Sequence, residues 1–356
     1  MDKKKKITVL KKILLYYAIT RAILIVLMIC WNILLPKFPS EYNSVFALFD
    51  NEHYLAIASN GYTLQYQYAF FPLVPLLIRY LGKWGFLLLE QLLVIISSYL
   101  LYYINRFIFK NKDNYDAVFF WLISPISVFT MMFYTEAIFV FLTLLAYYLY
   151  KTKRNYFALG TILGLSVMTR SIGSMLFFAL FIFMMIDTFK GKEKFKNVLI
   201  TYIPATIISC LYPIYLYLKV GNPLYFIDTQ AYWLKVHSNI FRVLFDTFRL
   251  IDWHGPFIFI FNIFLTIFIF GYVIYIMIKK RNEKKYYDIF VYMIFSMISI
   301  CSLVKNYSDP LTSYYRYIFG CFPIYFIMDK RPSIVIIVIL LSMFVTTLFL
   351  SGTYFF

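Results

Sequence analysis

Long apolar stretches alternate with short charged segments along most of the chain. Because a helix needs about 20 apolar residues to cross the hydrocarbon core of a bilayer, the pattern predicts about eleven membrane-spanning helices. They lie near residues 13–35, 86–104, 117–133, 134–150, 156–170, 172–188, 198–218, 256–278, 287–304, 315–328 and 333–351. The pair inside 117–150 and the pair around Arg170 are short, so we expect tilted, broken or re-entrant helices there and a count that can change by about two. The predicted fold class is an all-α polytopic membrane protein.

The amino-acid composition limits the classes of protein to which the chain can belong. Apolar residues make up 62% of the 356 positions, against roughly 45–50% in soluble proteins, which excludes a soluble enzyme and leaves no room for a separate soluble domain. We therefore expect one integral membrane domain over residues 1–356. The chain starts Met1-Asp-Lys-Lys-Lys-Lys and continues into an apolar stretch without a small-residue cleavage site, which predicts a retained first span.

The distribution of charge predicts the orientation. With the N-terminus inside, the inner segments are 1–12, 105–116, 151–155, 187–197, 279–288 and 329–332. They hold 23 of the 34 basic residues and eight of the 17 acidic ones, a net charge of +15 against +2 for all other positions. Because positively charged loops are retained in the cytoplasm, we expect a multi-pass protein of the cell membrane with a cytoplasmic N-terminus. The basic excess then requires no nucleic-acid partner.

Two long segments, 36–85 and 219–255, fall on the outer side. Their aromatic and apolar stretches, Ala69–Leu81, Leu224–Trp233 and Ile240–Trp253, predict helices that lie in or dip into the bilayer interface. Pro72 and Pro75 break the first of these stretches, which favours an interfacial or re-entrant piece over a straight span. We expect the two segments to form the functional face.

Some polar residues are not explained by topology, and all of them lie on the predicted outer side or at an outer helix end. An ionisable group at membrane depth is costly, so it is usually paired or functional. Opposite charges on one face predict a polar cavity that opens outward. The residues concerned are Asp50, Glu52, His53, Arg79, Glu136, Arg170, Gln230, Asp252, His254, Asp309 and Arg316.

Asp50 is the candidate catalytic group. It opens a stretch in which Tyr54, Ile57 and Ala58 recur at helical spacing and which Gly61 is expected to end. The carboxylate could cap that helix, or it could act as a general base at the mouth of the cavity; the spacing fits both. His53, one helical turn along, could orient Asp50, contact a sugar or be a structural partner.

Other residues are candidates for binding. Glu136 is either a solvated turn carboxylate or part of the site. Arg170 and Arg316 are either interfacial arginines whose heads reach water, or a pair that holds a phosphate through forked hydrogen bonds. Gln230 shares a predicted helix face with Trp233, and aromatic faces beside amides often hold sugars.

Several motifs of the chain resemble those of a known family. Two of them resemble the Trp-Asp-x-x-His/Tyr-Phe…Ile-Ala-x-x-Gly-Tyr and Ala-Phe-Phe-Pro-x-x-Pro-Leu signature of the PIG-V-type mannosyltransferases, with Phe49 in place of the family's Trp. These are Phe49-Asp50-x-x-His53-Tyr54-Leu55-x-Ile57-Ala58-x-x-Gly61-Tyr62 and Ala69-Phe70-Phe71-Pro72-Leu73-x-Pro75-Leu76. Further matches follow in the family's order up to residue 317: Ser124-Pro125…Phe129…Tyr134-Thr135-Glu136, Arg170-Ser171-x-Gly173, Gly221-Asn222-Pro223-Leu224-x-Phe226-x-x-x-Gln230-x-x-Trp233 and Arg316-Tyr317.

The resemblance implies a GT-C-type glycosyltransferase that takes a sugar, mannose by analogy, from a polyprenyl-phosphate donor at the outer face of the lipid bilayer. It implies that Asp50 is the catalytic base and that Arg170 and Arg316 hold the carrier phosphate during an inverting single displacement. The other substrate-binding candidates are Glu52, His53, Glu136, Gln230 and Trp233. The acceptor is an unknown glycolipid, glycan or protein, because the composition is typical of an AT-rich bacterial genome and the eukaryotic acceptor is not carried over.

Two alternatives stay open. Asp50 and Glu52 could bind a divalent cation, although no cofactor is favoured because the family resembled is thought not to need one. The chain could also be a polytopic lipid or glycolipid transporter or flippase without transferase chemistry. Against a transporter, the sequence has no inverted repeat, and its distinctive polar residues gather on one side instead of at the midplane.

Overall fold

The computed structural model describes residues 3–34, 48–111, 115–233, 235–237, 245, 257–305 and 314–351. Helices make up almost all of that part of the chain. They are α1 (Lys3–Leu34), α2 (Asp50–Asn60), α3 (Leu73–Tyr103), α4 (Asp116–Leu122), α5 (Glu136–Thr152), α6 (Tyr156–Thr169), α7 (Gly173–Phe189), α8 (Phe195–Val220), α9 (Tyr225–Asp228), α10 (Phe257–Lys279), α11 (Tyr287–Ser302), α12 (Tyr314–Gly320), α13 (Pro323–Ile327) and α14 (Pro332–Leu350).

Short elements connect these helices. A π-helical turn at Ile104–Ile108 extends α3, and 3₁₀ turns lie at Gln65–Ala69, Phe129–Met131, Thr229–Trp233 and Lys284–Tyr286. Two three-residue strands, β1 (Lys235–His237) and β2 (Leu303–Lys305), pair in antiparallel fashion with Lys235 opposite Lys305. The predicted all-α class therefore holds apart from this small ribbon.

By length, fewer of the described helices could cross a bilayer than the apolar pattern predicts. Within the described residues, four helical stretches are long and apolar enough to cross a bilayer: Lys4–Cys30, Leu73–Ile108, Phe195–Val220 and Pro332–Leu350. Three shorter apolar helices lie at Tyr156–Thr169, Gly173–Phe189 and Ile267–Lys279. Two predicted spans are not continuous helices, because 117–133 contains only α4 and a 3₁₀ turn, and 315–328 is divided into α12 and α13. The chain is a membrane protein, and the count of about eleven spans is not confirmed.

The six segments predicted from charge to lie inside meet at one end of the helices. Contacts join each of them to another: Lys12 with the Tyr115 ring (4.3 Å), Lys285 with Asn111 (2.7 Å), Lys330 with Asp116 (2.9 Å), Lys279 with Asp329 (3.3 Å), Lys151 with Asp288 (2.5 Å) and Lys153 with Glu193 (2.9 Å). We call this end the basic face. α5 runs from Glu136 to Lys151 near this face, so Glu136 lies at the opposite end of the helix layer.

The irregular segment between α4 and α5 is buried, which requires donors for its backbone oxygens. Arg21 of α1, 7% exposed, donates through Nη1 to the carbonyl oxygen of Ser127 (3.0 Å) and through Nη2 to Thr130 Oγ1 (2.8 Å). Gln91 of α3 donates to the carbonyl oxygen of Thr130 (2.7 Å) and accepts from the Tyr17 hydroxyl (3.1 Å). An arginine inside the first span thus holds a non-helical segment in place.

The prolines near the start of α3 have a different effect from the one predicted. Pro72 precedes the helix and Pro75 occupies its first turn, where backbone N–H groups have no helical acceptor. The break comes at Gly82, whose φ of 71° and ψ of 166° separate the two helical parts of α3. The break predicted at Pro72 and Pro75 is therefore wrong, because α3 continues through Pro75 and its kink lies at Gly82.

Glycines set the close approach of α6 and α8. A Cβ on Gly160 would lie 2.0 Å from the carbonyl oxygen of Thr201, and one on Gly164 would lie 2.6 Å from Ile208 Cβ. Small residues four apart are a common way for membrane helices to pack. This contact fixes α6, whose last turn leads into Arg170.

Candidate active site

Asp50 is the first residue of α2 and follows an unusual backbone turn. Phe49 has φ 56° and ψ −130°, a conformation that costs a residue with a Cβ roughly 1–3 kcal/mol. The Phe49 ring packs against the Phe349 ring of α14, with centroids 5.8 Å apart. Packing against α14 therefore stabilises the turn that points the Asp50 carboxylate. As predicted, α2 ends at Gly61, whose φ is 75° and whose N–H donates to the Ile57 carbonyl (2.9 Å).

The sequence interpretation overlooked Asn51. This residue is fully buried, and its Oδ1 accepts the backbone N–H of Phe133 at 2.8 Å. The bond joins α2 to the segment that leads into Glu136. The spacing could have indicated its burial, because Asn51 lies three residues before Tyr54 and therefore on the apolar face of α2.

Four of the predicted site residues lie in one ion cluster, which we define as Asp50, Glu136, Arg170 and Arg316. Arg316 donates through Nη1 to Asp50 Oδ2 (2.9 Å) and through Nε to Glu136 Oε1. Arg170 donates through Nη1 to the same Glu136 oxygen (2.8 Å). Residues from α2, α5, α12 and the end of α6 meet here, so the proximity of Asp50 and Arg316, 266 positions apart, is a property of the fold.

Burial differs sharply within the ion cluster. The side chains of Glu136 and Arg316 are 0% and 4% exposed, whereas those of Arg170 and Asp50 are 12% and 16% exposed. The alternative of a solvated turn carboxylate at Glu136 is therefore wrong. Asp50 and Arg170 are the two members that an incoming molecule can reach.

Aromatic rings cover the guanidinium groups. The Arg170 guanidinium lies 4.7 Å from the Tyr317 ring centroid, and that of Arg316 lies 4.6 Å from Tyr134 and 5.0 Å from Phe129. Cation–π contact of this kind strengthens where water is excluded. Tyr134 and Tyr317 lie within the motifs that resemble the family signature, but no role was predicted for them. Their positions close to Glu136 and Arg316 in the sequence could have indicated this contact.

A tight turn places Arg170. The residue has an extended backbone (φ −157°) directly after α6, and its carbonyl oxygen accepts the N–H of Gly173 (2.9 Å) at the start of α7. A Cβ on Gly173 would lie 2.4 Å from the Ser166 carbonyl oxygen. The Arg-Ser-x-Gly motif therefore needs its glycine because α7 begins in contact with the backbone of α6.

His53 lies among aromatic rings. Its ring centroid is 5.1 Å from Phe70, 5.2 Å from Trp233 and 5.4 Å from Tyr66. Burial is the main cause that lowers the pKa of His53 below its ordinary value of 6.5, while the charges of Asp50 and Glu52 oppose that shift. His53 thus favours its neutral form and joins α2 to the two 3₁₀ turns that carry Tyr66 and Trp233.

Gln230 and Trp233 belong to the 3₁₀ turn at Thr229–Trp233. Gln230 Nε2 donates to the Phe226 carbonyl oxygen (3.3 Å), and Trp233 Nε1 donates to that of Tyr66 (3.4 Å). The turn is thereby fastened to the segment that follows α2. Glu52 is exposed on α2. Asp252, His254 and Asp309 lie outside the described residues, as does the predicted helix at Ile240–Trp253 apart from Phe245.

The chemistry available at the ion cluster follows from these contacts. A partly exposed carboxylate can accept a proton, and a partly exposed guanidinium can bind an anion. Within the described ranges, no group of three or more His, Cys, Asp and Glu side chains is placed to hold a metal ion. A cation at Asp50 would also lie close to the guanidinium that already occupies Asp50 Oδ2.

Residues 68–217 match the family model described as dolichyl-phosphate-mannose-protein mannosyltransferase. The match includes Glu136 and Arg170, covers less than half of the chain, and leaves Asp50 and Arg316 outside it. No curated protein and no solved structure matches the chain. The family match supports the GT-C mannosyltransferase superfamily and does not single out the PIG-V-type family that the motifs resemble.

Proposed function

We propose that this chain is a GT-C-type glycosyltransferase that moves a sugar, mannose by family likeness, from a polyprenyl-phosphate carrier to an acceptor hydroxyl at the outer face of the membrane. The observation that carries the proposal is the ion cluster, which brings a reachable carboxylate and a reachable guanidinium together at the end of the helices opposite the basic face. The positive-inside rule makes the basic face cytoplasmic and the ion cluster external.

The reaction is a single displacement at the anomeric carbon. Asp50 removes the proton from the acceptor hydroxyl, and the oxygen attacks the anomeric carbon from the side opposite the phosphate. The bond between that carbon and the phosphate oxygen breaks, and its electron pair stays on the oxygen. The products are an inverted glycoside, protonated Asp50 and a polyprenyl phosphate monoester with one additional negative charge.

Arg170 is the candidate ligand of the carrier phosphate. Its side chain is the more exposed of the two arginines in the ion cluster, and its bond to Glu136 uses Nη1. A guanidinium suits this role because its N–H groups form charge-assisted hydrogen bonds to phosphate oxygens. Such a bond strengthens as charge grows on the leaving group, so it lowers the barrier.

The segments 36–85 and 219–255 are proposed to form the catalytic face of a single domain. Two contacts between their described parts support this proposal: Tyr232 with Gln65, and Trp233 with the Tyr66 carbonyl oxygen. Gln230, Trp233 and Glu52 remain candidates for contact with the sugar or the acceptor, since Glu52 is exposed on α2 and the turn that carries Gln230 and Trp233 packs against His53 of the same helix.

The decisive experiment combines purified protein in detergent with labelled polyprenyl-phosphate-mannose and a total lipid extract of the source cells as acceptor. Detergent removes the membrane that a flippase would need, so a new labelled product indicates transferase chemistry. Asp50→Asn is expected to abolish product formation while the thermal unfolding midpoint stays near that of the wild type. Turnover by Asp50→Asn at a rate near wild type would refute the assignment of the base.

Asp116→Asn is the matched control. Asp116 also begins a helix and also forms an ion pair, with Lys330 at 2.9 Å, but it belongs to the basic face. Its replacement is expected to leave turnover unchanged. The divalent-cation alternative at Asp50 and Glu52 predicts instead that chelator abolishes activity and that magnesium or manganese restores it.

A further inference from the structure

Glu136 is too deeply buried to contact a substrate, yet it forms ion pairs with both arginines of the ion cluster. Its Oε1 accepts hydrogen bonds from both Arg316 and Arg170, and its Oε2 accepts the backbone N–H of Thr135 (3.1 Å). The side chain has no exposed surface. A buried carboxylate of this kind persists only where it is paired and hydrogen-bonded, so its contacts define its role.

Arg316 is shared between two carboxylates. One nitrogen holds Asp50 and another holds Glu136, and the rings of Tyr134 and Phe129 cover the guanidinium. Two carboxylates and two guanidinium groups give the ion cluster no net charge. The contacts run from Asp50 to Arg316, from Arg316 to Glu136 and from Glu136 to Arg170. The two more exposed side chains, those of Asp50 and Arg170, lie at the two ends of this series.

We infer that Glu136 is a positioning residue. It shares the positive charge of Arg316 with Asp50 and holds Arg170 in place, so that the proposed base and the proposed phosphate site are electrostatically coupled. The inference rests on the proposed function and deepens it. During transfer Asp50 gains a proton and loses its charge, while the carrier phosphate gains one negative charge. The total charge is therefore constant: the negative charge that Asp50 loses beside Arg316 is replaced by the charge gained on the phosphate beside Arg170, and Glu136 connects the two arginines.

Glu136→Gln and Arg170→Gln should change the strength of Asp50 as a base in opposite directions. Without the Glu136 charge, Arg316 favours the charged form of Asp50 more strongly, which makes Asp50 a weaker base. Without Arg170, Glu136 balances Arg316 more completely, and Asp50 accepts a proton more readily. Asp50 also interacts with His53, Tyr54 and Tyr134, and Glu52 acts on the same His53; none of these residues is altered by either variant.

The test is the pH profile of kcat/KM for transfer from polyprenyl-phosphate-mannose. In Glu136→Gln the acid limb is expected to move about one unit to lower pH, with kcat reduced at least tenfold and a raised donor KM. In Arg170→Gln the acid limb is expected to move to higher pH, also with a raised donor KM. Glu136→Asp keeps the charge, and its acid limb is expected to stay near that of the wild type.

The outcomes separate the inference from the proposed function. If Asp50→Asn is inactive but neither Glu136→Gln nor Arg170→Gln moves the acid limb, Glu136 has only a structural role and the inference is overturned. If Asp50→Asn turns over, the proposed base itself is wrong. If Glu136→Gln does not fold, Arg170→Gln alone decides the question. An acid limb that does not move to higher pH in Arg170→Gln would contradict the inferred coupling between the proposed base and the proposed phosphate site.

Discussion

Gly173→Ala is expected to disable the site although Gly173 has no side chain that could bind a substrate. The added Cβ would lie 2.4 Å from the carbonyl oxygen of Ser166 and 2.8 Å from the backbone nitrogen of Val167, whereas ordinary contact begins at 3.4 Å. The obstructing atoms belong to the backbone and cannot rotate away. The turn between α6 and α7 would therefore have to open by about 1 Å.

Arg170 lies in that turn, so the displacement reaches the ion cluster. Its 2.8 Å bond to Glu136 would exceed hydrogen-bonding distance if the donor moved away by about 1 Å. Overpacking of this kind costs about 1–3 kcal/mol of stability. A misplacement of about 1 Å in a group that positions the substrate can reduce the rate about 100-fold. We expect a fall of that order in kcat/KM, together with a raised donor KM.

Transfer from labelled polyprenyl-phosphate-mannose measures the activity, and thermal unfolding in detergent measures the stability. Gly271→Ala is the matched control, because Gly271 lies within α10 and a Cβ there meets no atom within 4 Å. That control should keep wild-type activity and gain up to about 1 kcal/mol from the better helix propensity of alanine. A Gly173→Ala protein with a wild-type unfolding midpoint and donor KM would refute the reasoning.

Two further predictions concern residues outside the ion cluster. Arg21→Met removes the donors for Ser127 and Thr130, and is expected to lower the free energy of unfolding by about 1–3 kcal/mol; an unchanged unfolding midpoint in detergent would show that the segment does not need them. Because burial lowers the pKa of His53, protonation disfavours the folded state. The stability present above the ordinary value of 6.5 is therefore lost as the pH falls through the folded-state pKa. His53→Phe should reduce this pH dependence between pH 7.5 and 5, measured by thermal unfolding, and an identical dependence in the variant would exclude His53 as its source.

That the basic segments meet at one end of the helices could be predicted from the sequence, because the signal is local and additive. Each inner segment carries its own excess of lysine and arginine, and no knowledge of neighbours is needed to count it. The contacts of Lys151 with Asp288 and of Lys330 with Asp116 show that these segments do meet on one face. The end of α2 at Gly61 was predictable for the same reason, since a glycine after an apolar helical face is a local stop signal.

The irregular segment between α4 and α5 could not be predicted in the same way. Its apolar residues have the composition of a span, and hydropathy does not distinguish a helix from a buried loop of the same residues. The missing information was Arg21, whose donors replace helical hydrogen bonds for a segment more than 100 positions away. Arg21 had no explanation at the level of sequence because its partners are backbone and hydroxyl oxygens, which no residue pattern reveals.

The different positions of the two arginines explain why residue type alone left their roles open. Both lie at predicted outer helix ends, and a guanidinium suits a carboxylate as well as a phosphate. In the fold Arg316 binds two carboxylates and is 4% exposed, whereas Arg170 binds one and is 12% exposed. The nearly neutral set of charges outside the inner segments was thus a sign of internal pairing, and only that pairing distinguishes the arginine that binds Asp50 from the arginine that we propose binds the donor.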